Sequence, residues 1–252
     1  MALDDHLDIL IFAAHPDDAE VGCGGALILG SEKGLAVGIA DLSRGEGSTR
    51  GNPDLRREET SQASQHLRLK VRLSLGLPDT RIGHDPAHGL ALVKAIREYR
   101  PRIVLAPYWK DRHPDHAATG KLAREACFYA GVRSVGEGTT YRPDRLYHYM
   151  LHEPFRPSFV VDITSAWTGK LAAIQAYQSQ FQAGVSGPAT ALSNPDFLNF
   201  IETRARYYGG LIGTTFGEPY FTKGPLALGF FPEATPARPN DLERLSPYRP
   251  YI

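Results

Sequence analysis

Three features of the sequence predict an α/β protein, a Rossmann-like doubly wound and mostly parallel sheet with helices on both faces. Short apolar runs rich in β-formers alternate along the chain with segments of helical pattern. The first run, residues 7–14, is apolar without polar alternation, as in a strand buried on both faces. Right-handed crossovers between parallel strands then lay the intervening helices over both sides of the sheet.

The elements follow in order. Residues 7–14 form the first strand. A helix begins after Asp18 and ends at Lys33-Gly34, a basic last turn before a glycine stop. Residues 36–42 are the second strand and 44–53 a Gly-rich loop. Pro53 opens a helix at its first turn, running to about residue 67. Residues 71–75 are the third strand and 77–88 a long loop. A helix over 90–99 is stopped by Pro101. Residues 103–106 are the fourth strand, 107–115 a loop, and a helix runs on to about 129. Residues 146–151 and 159–163 are further strands. Ser165 is read as the cap of a helix to about 179. Asn194-Pro195 reads as the cap and first residue of a helix to about 208. Residues 1–230 are expected to form the domain. Residues 231–252, with five prolines, are expected to be a proline-rich C-terminal extension.

Composition narrows the function classes. The chain has 252 residues, enough for one α/β domain, with 42% hydrophobic and 22% charged residues. Lys+Arg and Asp+Glu are both 28, so no global charge calls for nucleic acid or an anionic membrane. Cys23 and Cys127 are too few for a disulfide framework and form no CxxC, which fits two small apolar residues in a reducing compartment. Asp4, Asp5 and Asp8 stand where a signal peptide carries basic residues, and residues 9–14 are too short to span a bilayer. A cytoplasmic protein is expected, without membrane or nucleic-acid partners.

Two segments carry the chemistry. His15-Pro16-Asp17-Asp18 and His113-Pro114-Asp115-His116 each follow an apolar strand and lead into a helix. Their histidines and aspartates are the donor types of a catalytic zinc, which takes three protein ligands and keeps one position open. In a doubly wound sheet the first strand lies at the topological switch point, beside the strand that begins the second half. Both segments therefore meet at the carboxyl edge of the sheet. Taken alone, Asp17 and Asp115 also read as helix N-caps. The residues alone do not say which histidine of the second segment binds metal, and an Asp/His₂ site also suits iron or cobalt.

Rival chemistries are weaker. Gly22-Cys23-Gly24-Gly25 follows the first strand but is not GxGxxG and falls inside the expected helix, where close packing explains the glycines better than a dinucleotide does. Residues 43–48 lack a Walker lysine and read as a flexible substrate loop. No GxSxG elbow occurs, and neither cysteine has a catalytic context. Metal-activated water is the remaining nucleophile. His148 and His152, four apart on a strand, read either as surface histidines or as a wall of the cleft. Tyr108, Trp109 and Tyr177 either stack on a sugar or pack. Glu20 either orders the first segment or caps its helix. Residues 181–194 have the length of a lid.

At these residues the sequence resembles the LmbE-like (PIG-L) family of zinc-dependent N-acetylglucosamine deacetylases. Ala14-His15-Pro16-Asp17-Asp18 with Glu20 is similar to the family's first signature, and residues 111–116 to its second. Arg56-Arg57-Glu58-Glu59, Tyr177-Gln178-Ser179-Gln180-Phe181 and Gly217-Glu218 resemble further family elements, so the likeness covers residues 7 to about 230. Leu77-Pro78-Asp79 and Asp111-Arg112 resemble most the bacillithiol-pathway members, which deacetylate N-acetylglucosaminyl malate. The resemblance implies roles. His15, Asp18 and His116 would hold zinc, and Asp17 would be the general base. His113 would stabilise the oxyanion as a charged imidazole oriented by Asp115. Arg56, and less directly Arg112, would bind substrate. It implies a small-molecule GlcNAc conjugate as partner and a homo-oligomer. The alternatives are other GlcNAc substrates (an inositol conjugate, chitooligosaccharides, antibiotic sugars), a nucleotide-binding Rossmann protein, and a non-catalytic member of the fold.

Overall fold

A computed structural model describes residues 6–226 of the chain; the proline-rich extension expected at 231–252 lies outside them. Seven strands form one sheet in the order β3-β2-β1-β4-β5-β7-β6. They are β1 (Ile9–Ala13), β2 (Val37–Asp41), β3 (Val71–Ser74), β4 (Ile103–Pro107), β5 (Arg145–Tyr149), β6 (Phe159–Asp162) and β7 (Gly217–Phe221). Strands β1 to β5 pair in parallel, whereas β7 runs antiparallel to both β5 and β6. The helices are α1 (Asp18–Glu32), α2 (Pro53–His66), α3 (Ala87–Tyr99), α4 (Pro114–Tyr129), α5 (Trp167–Gln175), α6 (Gln178–Phe181) and α7 (Pro195–Leu211). This is the doubly wound α/β architecture expected from the sequence.

The apolar run of β1 serves two cores. Ile11 and Ala13 point to one face, where they pack with side chains of α1, α5 and α7. Leu10, Phe12 and Ala14 point to the other, against α3 and α4. The period of two puts successive side chains on opposite faces, so a strand covered on both needs apolar residues throughout. A side chain such as Phe12, with none of its surface exposed, contributes about 2–3 kcal/mol of burial.

Helix ends are chemically marked. Asn52 accepts from the Leu55 N–H at 2.9 Å with Pro53 next, and Asn194 accepts from the Asp196 N–H at 3.0 Å with Pro195 next. α1 ends before Gly34, which has φ 80°. The glycines of α1 serve packing: a Cβ at Gly22 would lie 2.2 Å from the Tyr149 ring, and one at Gly25 would lie 2.7 Å from Ile163. They are pressed against other side chains inside a helix, which removes the dinucleotide reading.

Four expectations need correction. α3 starts at Ala87, three residues earlier than its apolar pattern, because Asp85 accepts from the Ala87 N–H and begins the turn. The helix expected over 165–179 is divided into a 3₁₀ turn (Thr164–Ala166), α5 and α6, and Ser165 makes no cap. β5 ends at Tyr149, so His148 is in the strand and His152 in the loop beyond it. β7 was not foreseen, since Gly217, Glu218 and Pro219 are poor strand formers. Pro219 pairs with Val160 of β6, while the pairing of β7 with β5 covers only Tyr220 and Phe221. The Glu218 carboxylate accepts from the Gly25 and Ala26 N–H groups, from Lys170 at 2.6 Å and from the Tyr220 hydroxyl. That set of donors satisfies a buried charge and fixes β7 to α1.

Candidate active site

β1 and β4 are neighbours, with Ile9 paired to Ile103, and the chain leaves both at the same sheet edge. β1 runs into His15-Pro16-Asp17 and α1; β4 runs into residues 108–113 and α4. The two His-Pro-Asp segments therefore meet. His15, Asp17, Asp18, His113 and His116 line one cleft of about 230 Å³, together with Arg56, Asp79 and His152.

Neither segment is capped as expected. Asp17 stands at the N-cap of α1 with φ 116° and makes no cap bond. Its carboxylate pairs with Arg56 Nη1 at 3.2 Å, and Arg56 Nη2 donates to the Pro16 carbonyl. A left-handed aspartate costs about 1–3 kcal/mol and needs such holding. In α4 the cap is His113, whose Nδ1 accepts from the Asp115 N–H at 3.2 Å.

Within the cleft, His15, Asp18 and His116 offer two ring nitrogens and a carboxylate oxygen that all lie within 4.8 Å of one another. His116 Nε2 is 3.1 Å from Asp18 Oδ1, and His15 Nδ1 is 3.5 Å from Asp18 Oδ2. Each ring is backed by acids at its other nitrogen. His15 Nε2 lies 3.1 Å from Asp79 and 3.3 Å from Asp115. His116 Nδ1 lies 3.1 Å from Asp111. A carboxylate behind a metal-binding imidazole fixes its tautomer and turns the free lone pair forward.

Among the described residues two other sets meet the same distance, His15/His113/Asp115 and Asp111/His116/His152. Their carboxylates are already engaged. Asp111 accepts from the backbone N–H groups of His113, His152 and Glu153 as well as facing His116. Asp115 accepts from the N–H groups of Thr80 and Ile82. Asp18 accepts one backbone N–H, that of His15 at Oδ2, and among the described residues its Oδ1 faces the His116 ring.

The electrostatics favour a cation. Burial works to lower His116, yet Asp18 and Asp111 raise it to about 9; His15 is raised against burial by Asp115, Asp18 and Asp79. Carboxylates that hold protons on both rings are suited to a metal ion in place of those protons. Burial pushes the Asp17 carboxyl up to about 7 against the pull of Arg56, with Asp18 adding to the rise. His113 is lowered by burial, then by His116 and His15.

These facts revise the sequence expectations. The expected orientation of His113 by the Asp115 carboxylate is not what the structure shows: His113 Nδ1 accepts from the Asp115 backbone N–H, and burial, then His116 and His15, lower the ring's pKa against the pull of Asp18 and Asp115. The Asp115 carboxylate faces His15 Nε2 at 3.3 Å. Arg56 reaches the cleft, where Nη1 and Nη2 hold Asp17 and Pro16 while the buried Nε has no partner among the described residues. Arg112 is exposed and is not among the lining residues, so its expected substrate role is not supported. Tyr177 is fully buried and donates to Glu20, while Tyr108 and Trp109 pack with Phe155 and Phe221. Glu20 caps nothing; it is a buried partner of Arg72 and Tyr177. Residues 43–48 are not a free loop. Gly47 N–H donates to Asp79 at 2.8 Å and Ser48 to Gln180 at 3.0 Å. Arg50, 2% exposed, ties the 181–194 segment down through the carbonyls of Gln182, Gly187 and Pro188.

The places of Asp79 and Asp111 behind the ligand rings were not anticipated, whereas His152 lines the cleft, as the second of its two readings had it. In the sequence Asp79 and Asp111 mark a bacillithiol-type likeness, and Asp111 also opens the second signature; the structure puts both on the candidate ligand histidines. Their place just after β3 and β4, at the carboxyl edge, was the available signal. Replacing Asp111 with Asn should weaken metal binding about 10–100-fold. Competition against a chromogenic chelator measures this, and unchanged affinity would remove Asp111 from that role.

His148 is buried outside the cleft, and its Nδ1 donates to the Pro107 carbonyl at 2.8 Å. Burial pulls its pKa down to about 4. Above pH 6.5 the ring is neutral in both folded and unfolded chains. As pH falls from 6.5 to about 4 only the unfolded chain takes up the proton, so stability is lost over that window, on the order of 3 kcal/mol. Urea unfolding at pH 7.5 and 4.5 should show a smaller acid loss in His148→Gln, by about 2 kcal/mol. Equal losses would contradict the assignment.

The chain resembles known proteins along most of its length. The family model PIG-L, GlcNAc-PI de-N-acetylase, matches residues 10–127. Diacetylchitobiose deacetylase of Thermococcus kodakarensis is 30% identical over 223 residues, 83% of this chain and 80% of the relative. 4-Oxalmesaconate hydratase of Pseudomonas putida is 31% identical over 196 residues, 68% of this chain and 73% of the relative. The crystal structure of a conserved protein from Thermus thermophilus superposes with a TM-score of 0.83 at 39% identity, covering 90% of this chain and all of that one. On this likeness, and with both signature segments joined in one cleft, the chain belongs to the PIG-L family of GlcNAc-PI de-N-acetylase-like proteins.

Proposed function

We propose that the protein is a metal-dependent N-deacetylase of a small molecule containing N-acetylglucosamine. The observation that carries this reading is the convergence of His15, Asp18 and His116 on one point, with Asp17 and His113 beside it in the same cleft. His15, Asp18 and His116 would hold the ion. Zinc suits the donor set, as iron or cobalt also does. A bound zinc supplies a water of pKa about 7 and positive charge near the amide carbonyl. Asp17 takes the proton of the attacking water and returns it to the leaving amine. Arg56 keeps that carboxylate in the cleft. His113 donates its Nε2–H to the carbonyl oxygen as negative charge develops there. Asp79, Asp115 and Asp111 hold the two ligand rings in place.

Diacetylchitobiose is the first substrate to test, on the strength of the 30% identical relative. The malate conjugate of the sequence reading is the second. Amine release is measured on both and on the inositol conjugate, with and without chelator. Chelator-sensitive release from at least one supports the reading; none from any overturns it. The similarity to a hydratase favours one alternative, addition of water across a C=C bond of an unsaturated tricarboxylate. Loss of the substrate's ultraviolet absorbance, with no amine released, identifies that activity.

A further inference from the structure

We infer that the cleft seats the N-acyl group along an apolar wall and hydrolyses acyl chains longer than acetyl. The inference rests on the deacetylase reading. The wall consists of Val21, Leu151, Phe181, Leu192 and Phe197. Val21 lies three residues beyond Asp18 on α1, about 5 Å along the helix axis. Leu151 precedes His152, whose ring stacks on His116 at 5.3 Å. One side chain joins these two positions: Arg204 donates to the Val21 carbonyl at 3.0 Å and to the Leu151 carbonyl at 2.5 Å. The rings of Phe181 and Phe197 stack at 5.6 Å. Val21, Leu151 and Phe181 belong to the core on that face of the sheet, and Leu192 and Phe197 pack against it. The wall is therefore the cleft-facing edge of that core, with Val21, Leu151 and Phe181 buried and Leu192 and Phe197 half-buried.

The flank beside His15 is polar. Asp79 and Thr80 line it, with Gly47 held on the Asp79 carboxylate. An N-acyl sugar has the same two-sided character, hydroxyls on one side of the amide and hydrocarbon on the other. With the amide between His15 and His116, the hydroxyls meet the polar flank and the acyl group meets the wall. The reverse placement would leave hydroxyls against five apolar side chains without partners. An acetyl methyl covers little of such a wall. Each further methylene seated on it should tighten binding by up to about fourfold. In the reaction water supplies the hydroxyl of the released fatty acid, the amide C–N bond breaks, and the amine leaves with the proton.

The test uses the zinc-loaded full chain and N-acetyl, N-propionyl, N-butyryl and N-hexanoyl forms of a sugar from which it releases acetate. KM should fall about two- to fourfold per methylene as far as butyryl, with kcat changing little. Phe197→Asn should flatten this trend relative to acetyl, and Leu192→Asn serves where the first variant folds poorly. Turnover of acetyl with none of propionyl or butyryl overturns the inference while leaving the deacetylase reading intact. A KM independent of chain length, or a trend that survives both variants, overturns it as well. Should no N-acetylglucosamine conjugate yield acetate in the first place, the deacetylase reading is overturned and this inference with it.

Discussion

Replacing Asp17 with Asn should leave metal content unchanged and lower kcat for amine release about 10²–10⁴-fold, the usual weight of a positioned general base. The amide keeps the size of the side chain and a partner for Arg56 but cannot accept the proton of the attacking water. Asparagine also visits positive φ more readily than most residues, so the left-handed backbone at this position is preserved. Asp17 belongs to none of the His/Asp groups that could hold a metal, although it is next to Asp18. Zinc analysis, a thermal melt and single-substrate kinetics together check the expectation. Near wild-type turnover in a variant with full zinc would remove Asp17 from proton transfer.

The second large effect separates two stacked rings. His113 and His116 have centroids 4.5 Å apart, yet their surroundings differ. His116 lies between Asp18 and Asp111 and is 3% exposed. His113 has its Nδ1 occupied by a backbone N–H. His116→Ala should therefore lose zinc and with it all activity. His113→Ala should keep zinc and lose about 10²–10³-fold in kcat, the range for one donor to an oxyanion. Elemental analysis after dialysis reads the first difference, and kinetics the second. Full zinc in His116→Ala would move the ion to another donor set, of which His15/His113/Asp115 is the nearest. Removing His116 also leaves the buried Asp18 and Asp111 without their ring partner, so some loss of stability accompanies the loss of metal.

The parallel half of the fold could be read from local pattern. Runs such as 7–14 are apolar on both faces, and the Asn-Pro pairs at 52–53 and 194–195 and Gly34 mark helix ends through bonds within a few residues. β7 could not be read this way. It is a strand because β5 and β6 leave an open place between them and because Glu218 finds its donors on α1 and α5, far away in sequence. The division of the 165–179 segment was equally invisible. Its residues are good helix formers, but Glu59 accepts from Ser179 N–H at 2.6 Å and from its hydroxyl, holding a new helix start there.

The site divides along the same line. The donor types, their two segments and their meeting at the carboxyl edge follow from the sequence, because strand order and crossover hand are nearly set by local chain physics. Which nitrogen faces which acid does not follow. Asp79 and Asp111 behind the rings, Asp115 on His15 instead of His113, and Arg56 on Asp17 are contacts between residues 5 to 100 positions apart. Hydrogen-bond direction and burial depend on the packed arrangement of such segments. They put the Asp115 backbone N–H, and not its carboxylate, on His113, and they set apolar side chains along the same cleft as the histidines. Sequence determined that two His-Pro-Asp segments share one sheet edge; tertiary structure decided the partner, proton and task of each residue in them, since a side chain's charge state belongs to its surroundings and not to its neighbours in the chain.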